Sequence, residues 1–141
     1  MKKNLFTILF LITLFLSSCG ILQTGNSINL NGTAWTLVSY NGNPLLPGTT
    51  MTASFENQEV NGSASCNHYF SSYKTKGDQI QIDGLGWTEM ACPDPEGIMK
   101  QEQELMALFG QATTIAVEGE ILQITTINGV IMTFIPIEGN E

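Results

Sequence analysis

Hydrophobic and polar positions divide the chain into a short apolar leader and a long alternating body. Leu5 to Leu16 is apolar apart from two threonines, and Lys2 and Lys3 precede it. As a helix this run would reach about 18 Å, short of a hydrocarbon core of about 30 Å. A basic start, an apolar centre and small residues behind it predict a signal peptide over residues 1–18. Residues 20–29, GILQTGNSIN, are small and polar apart from Ile21, Leu22 and Ile28, and read as a tether.

Beyond residue 30 the period becomes two. TAWTLVSY (33–40) puts Trp35 and Leu37 on one face and Thr36, Val38 and Tyr40 on the other. NGNPLLPG (41–48) is a loop by composition. Residues 51–56 and 59–65 predict a hairpin about Asn57-Gln58, and 68–75 and 79–83 another about Lys76-Gly77-Asp78. Trp87 to Met90 could extend the latter before Pro93 and Pro95 stop it. Asp94-Pro95-Glu96 then predicts a helix start, with a capping carboxylate, proline at the first helical position and acid in the first turn. Ile98, Leu105, Met106 and Phe109 share one helical face, and Gly110 is the expected C-terminal cap. Strands at 113–118, 121–126 and 130–136 follow, separated by Glu118-Gly119-Glu120 and Asn128-Gly129. Connections this short imply antiparallel neighbours, and a sheet of about eight strands must curl to protect its edges. The expectation is a mainly β (α+β) domain, a small antiparallel barrel or half-barrel with one helix packed across an opening.

The end of the leader sets the compartment. Leu16-Ser17-Ser18-Cys19 resembles the bacterial lipobox, in which the cysteine is acylated after cleavage in front of it. One acyl chain holds a protein only marginally, so the two or three chains expected on Cys19 would make a durable anchor. Without residues 1–18, three lysines face 13 acidic residues, for a formal charge of −10, and arginine is absent. That balance argues against nucleic acid and against electrostatic attachment to anionic lipid. Cys66 and Cys92 remain after lipidation. Export favours a bridge between them, closing a loop worth about 3–4 kcal/mol, with two buried free thiols as the alternative. No CxxC or paired histidine suggests a metal, and no cofactor motif is present.

Candidates for catalysis are few. His68 is the lone histidine, no serine sits in a G-x-S-x-G elbow, and either cysteine would need an activating base. Asn31 and Asn61 open glycosylation-type triplets that carry little meaning in a bacterial lipoprotein. Glu102 falls on the apolar face of the helix, where a lone carboxylate is costly; a structural tie to a loop is preferred there to a functional acid.

LNGTAWTLVSY (30–40), VNGSASCNHYFSSY (60–73), WTEMACP (87–93), EQELMALF (102–109) and VEGEILQI (117–124) together resemble the META domain of HslJ-like lipoproteins. Gly32, Trp35 and Leu37 match the first motif; Gly62, Cys66, Asn67 and Tyr73 the second; Thr88, Met90, Ala91 and Cys92 the third. Glu102, Leu105, Met106 and Phe109 take the helix positions. Ser65 and Ser72 stand where the family pattern has glycine, so a slightly different local turn is expected. The resemblance implies a lipocalin-like barrel spanning 30–137, between a tether at 19–29 and a short acidic tail at 138–141.

It also implies an envelope location, no enzymatic activity and a loose link to envelope stress, secretion or motility. The expected partners are a membrane, through lipid on Cys19, and an envelope protein or component; the domain itself is expected to be a monomer. Gly20 after the acylated cysteine, rather than aspartate, favours the periplasmic side of the outer membrane over the inner membrane. The alternative keeps the barrel but gives its interior to a small apolar ligand, a reading that needs a cavity of several hundred Å³ rather than an interior filled by Trp35, Phe55, Trp87 and Phe134.

Overall fold

The alternating segments are strands, and the sheet they form closes on itself. The structure, a computed structural model, describes residues 28–138; the expected signal peptide, Cys19, most of the expected tether and residues 139–141 lie outside them. The strands are β1 (Thr33–Tyr40), β2 (Thr52–Glu56), β3 (Glu59–Ser63), β4 (His68–Lys76), β5 (Gln79–Trp87), β6 (Ala112–Glu118), β7 (Ile121–Thr126) and β8 (Ile131–Pro136), with one helix, α1 (Ile98–Phe109), between β5 and β6. Each strand pairs antiparallel with its chain neighbours, and β8 returns to β1 through pairs such as Leu37 with Phe134. Closure settles the choice between barrel and half-barrel, and it pairs every sheet edge except along most of β5 and β6, which meet at one register pair.

The meander puts two sets of connections at opposite ends. The turns β2–β3, β4–β5 and β6–β7 share one end with the start of the domain, where Leu30 is buried. The β1–β2, β3–β4 and β7–β8 loops share the other with α1. The seam is narrowest where α1 is inserted, because β5 and β6 are joined by a single register pair, Gln79 with Thr114. Leu105, Met106 and Phe109 of α1 join the barrel core there, the ring of Phe109 lying edge-on to Tyr69 at 5.4 Å.

Inward side chains fill the barrel. Phe55, Val60, Leu122, Ile124, Met132 and Phe134 are 0% exposed, and Trp35 closes over them with its Nε1 donating to Thr33 Oγ1. Phe55 meets Tyr73 edge to face at 5.0 Å. This packed interior leaves the apolar-ligand alternative without a chamber among the described residues. Trp87 takes no part in this filling: near the end of β5, its indole is 46% exposed.

Local backbone conformation explains two further differences, while Gly110 is the C-terminal cap as expected. Helix α1 starts at Ile98, not at Pro95, because Gly97 at φ 90 breaks the helical dihedrals; Asp94 and Glu96 therefore cap nothing, and the N-cap makes no side-chain bond. Gly110 ends the helix in a right-handed conformation (φ −65), so its position does not depend on a left-handed turn. Strand β3 stops at Ser63, since Ser65 adopts φ 96. The turn has thus kept the conformation a glycine would favour, and the serine bears the strain. Its Oγ compensates by accepting from Thr50 N and donating to Thr50 O.

Gly62 is needed for a different reason. A Cβ there would lie 1.9 Å from the carbonyl oxygen of Thr52, a backbone atom that cannot step aside. The same oxygen accepts the buried Tyr69 hydroxyl at 2.7 Å, so the bare glycine lets β2 approach a hydrogen bond inside the wall.

Two substitutions test this account by chemical denaturation. Gly62→Ala should cost about 3 kcal/mol or more by forcing β2 and β3 apart. Ser65→Ala should lose about 1 kcal/mol, because the strain stays while the bonds to Thr50 go, whereas Ser65→Gly should be close to neutral.

Candidate functional site

The buried face of α1 contains two polar residues in an otherwise apolar stripe, Gln101 (4% exposed) and Glu102 (2% exposed). Burying them is tolerable only if their polar atoms find partners, and the loops at this end of the barrel supply them. Gln101 Oε1 accepts Leu46 N at 2.6 Å and its Nε2 donates to Thr49 Oγ1 at 2.8 Å, which ties the helix to the β1–β2 loop. Glu102 Oε2 accepts Cys66 N at 3.1 Å and Asn67 N at 2.8 Å from the β3–β4 loop, while Oε1 accepts Asn67 Nδ2. Ser65 at φ 96, with Ala64 N bonded to Asn67 O, turns that loop so that consecutive N–H groups point at one carboxylate. Hydrogen bonds to a charged acceptor are stronger than neutral ones, at about 1.5–3 kcal/mol each.

Asn67 passes the connection on. Its Oδ1 accepts Thr88 Oγ1 and Met90 N, both at 2.7 Å, and its Nδ2 also donates to Met90 O. The segment after β5 is thereby fixed to the β3–β4 loop, and Cys66 is disulfide-bonded to Cys92 across a Cα–Cα distance of 6.0 Å. Closing a loop over a separation of 26 residues contributes about 3–4 kcal/mol in the chain-entropy model. No buried side-chain nitrogen or oxygen among the described residues lacks a partner.

The structure brings Cys66, Asn67, Thr88, Met90, Cys92 and Glu102 to one cluster. It leaves Gly32, Trp35, Gly62 and Tyr73 elsewhere: Gly32 turns the chain into β1 at φ 79, and the others pack or shape the wall. Burial raises the hydroxyl pKa of Tyr73, and that of Tyr69 well above its ordinary value, and the neutral Tyr69 hydroxyl donates to Thr52 O. His68 is exposed at the start of β4, where its backbone pairs with Thr88. Sequence reasoning passed over Gln101, although its position beside Glu102 on an apolar stripe was a usable signal.

Next to the cluster, α1 and the 87–90 segment leave a concavity of about 380 Å³ lined by Asn67, Trp87, Thr88, Glu89, Met90, Met99, Glu102, Gln103 and Met106. Trp87 (46% exposed) and Met90 (52% exposed) stand at its mouth. Its walls are mixed, with apolar contact from Trp87, Met90, Met99 and Met106 and polar groups from Asn67, Thr88 and Gln103, and its charged lining residues are Glu89 and Glu102. Chemically it can hold a side chain or small group, and it offers no nucleophile paired with a base.

The model of the META domain family matches residues 28–138, and the chain belongs to that family. Among solved structures, a protein from Burkholderia xenovorans, determined by NMR, superposes with a TM-score of 0.66 at 22% identity, covering 78% of this chain and 85% of that one. A DUF4847 family protein from Bacteroides vulgatus, known from a crystal structure, gives 0.56 at 11% identity, covering 75% and 93%. Both likenesses concern the fold. No curated protein sequence matches the chain significantly.

Glu102→Gln should test the node, since an amide presents a donor where one carboxylate oxygen now accepts. A loss of about 2–3 kcal/mol in urea unfolding is expected; an unchanged midpoint would mean that the node carries no stability.

Proposed function

We propose that the chain is a non-catalytic lipoprotein of the cell envelope that binds a protein or another envelope component at its outer surface. The observation that carries this reading is a lipobox-type Leu16-Ser17-Ser18-Cys19 ahead of a barrel whose interior is filled by its own side chains. A filled barrel works from its outside. The helix-covered end offers the concavity beside Glu102, held by loops that are themselves locked together. From Cys19 to Ile28 the tether can extend about 30 Å, enough to hold the barrel near a bilayer and leave one end free to meet a neighbour. Gly20 favours attachment to the periplasmic side of the outer membrane, and the family resemblance favours a role in envelope stress or secretion.

Replacing Cys19 with alanine tests the anchor. The wild-type protein should partition with membranes and carry acyl mass on its N-terminal peptide, while Cys19→Ala should lose the acyl mass and leave the lipid-anchored fraction. In-cell photocrosslinking from positions 87 and 90 should then give discrete adducts from the anchored protein. A wild-type chain found soluble with its leader intact would end the proposal.

A further inference from the structure

We infer that the concavity between α1 and the 87–90 segment takes a basic side chain, lysine or arginine, carried on an apolar peptide segment of a partner protein. This names the class of partner for the docking reading above and rests on it.

Three observations converge. The walls supply soft apolar contact from Met90, Met99, Met106 and the indole of Trp87. Thioether side chains adapt to different partners, and an aromatic face attracts a cation. Trp87 and Met90 are roughly half exposed side by side at one mouth, although most of the large apolar side chains of α1 and the barrel are buried.

The charges at the site have one sign. Glu102 lies in the wall and Glu89 also lines the concavity, where no lysine or histidine contributes. Glu102 is 2% exposed with its carboxylate held by three hydrogen bonds, so it adds a negative field from within the wall, and exposed Glu89 is the carboxylate a visitor can reach. The chain as a whole carries a formal charge of −8.

The third observation concerns desolvation. A neutral apolar occupant would strip water from Glu89, which is exposed, and return no counter-charge. An anion would be repelled by Glu89 and Glu102. A basic group on an apolar stem answers the walls and the carboxylates together. A volume of about 380 Å³ lies at the low end of the range for ligand pockets, about 300–1,000 Å³, which suits one or two side chains and excludes a folded element.

The test uses the full-length protein in non-ionic detergent. The probe is a short synthetic peptide of alternating leucine and lysine, beside a counterpart with glutamate in place of each lysine. The chain has two tryptophans, and because Trp35 is 7% exposed, the emission of Trp87 reports on the groove. The lysine peptide should give a saturable blue shift, weakened by salt, and Trp87→Phe should abolish it. Glu89→Lys combined with Met90→Lys changes exposed side chains only; it should weaken binding about tenfold or more with an unchanged far-UV circular dichroism spectrum. An equal shift with the glutamate peptide, an unaltered affinity in the double variant, or no saturable shift would each overturn the inference. If crosslinks from the anchored protein persist while the peptide fails, the inference falls and the docking reading stands; if both fail, both fall.

Discussion

A buried carboxylate, that of Glu102, is the constraint on which the closed end of the barrel depends. The seam between β5 and β6 is one register pair wide, and the chain crosses that end as a helix with no side-chain cap at its start. Nothing intrinsic to such a helix would hold it in place. Its apolar residues give it a reason to sit on the core, but apolar contact is not directional. Direction comes from Glu102 and Gln101, each bonded to a different loop of the same end. Because Glu102 is 2% exposed, removing its partners would leave a buried ion, and that penalty makes the arrangement close to all-or-none.

The polar groups of the β3–β4 loop answer the same constraint. Asn67 could not serve as the hub if the backbone did not turn sharply at Ser65, and Ser65 could not hold φ 96 without its bonds to Thr50. The disulfide then ties the 88–92 segment to the loop at Cys66, the residue whose N–H faces Glu102. The motif residues Cys66, Asn67, Thr88, Met90, Cys92 and Glu102 thus form one fastening, assembled from three separated stretches of chain. By contrast the ion pair of Lys74 with Asp83, 3.8 Å apart and well exposed, adds about 1 kcal/mol at most.

Much of this was legible in the sequence because strand periodicity is a local property. Trp35, Leu37 and Phe55 announce their inward faces by alternation alone, and the turns announce themselves through Asn-Gly and Lys-Gly-Asp. The helix body was equally plain from Ile98, Leu105, Met106 and Phe109. Its start was misplaced because Asp94-Pro95-Glu96 is a good capping sequence in isolation, while the conformation of Gly97 depends on where the chain must go next. Left-handed Gly84 in β5 goes with a shift of the β4–β5 register between Phe70 and Ser72, which alternation alone does not announce. The partners of Glu102 were not legible at all. The carboxylate and the N–H groups it accepts are 35 and 36 residues apart in the chain, and nothing local joins them.

A fastening of this kind also prepares a surface. Binding weakens when side chains and loops must be ordered at the moment of contact, and a preformed site avoids that cost. Here the ordering is done by folding, since Asn67 fixes the backbone of Met90, the disulfide fixes Cys92, and α1 presents Met99 and Met106 from a rigid element. The same carboxylate that draws the loop onto the helix leaves a negative charge in the wall of the adjoining concavity. The node therefore stiffens that wall from within, while Glu89 is the lining carboxylate that stays in contact with water.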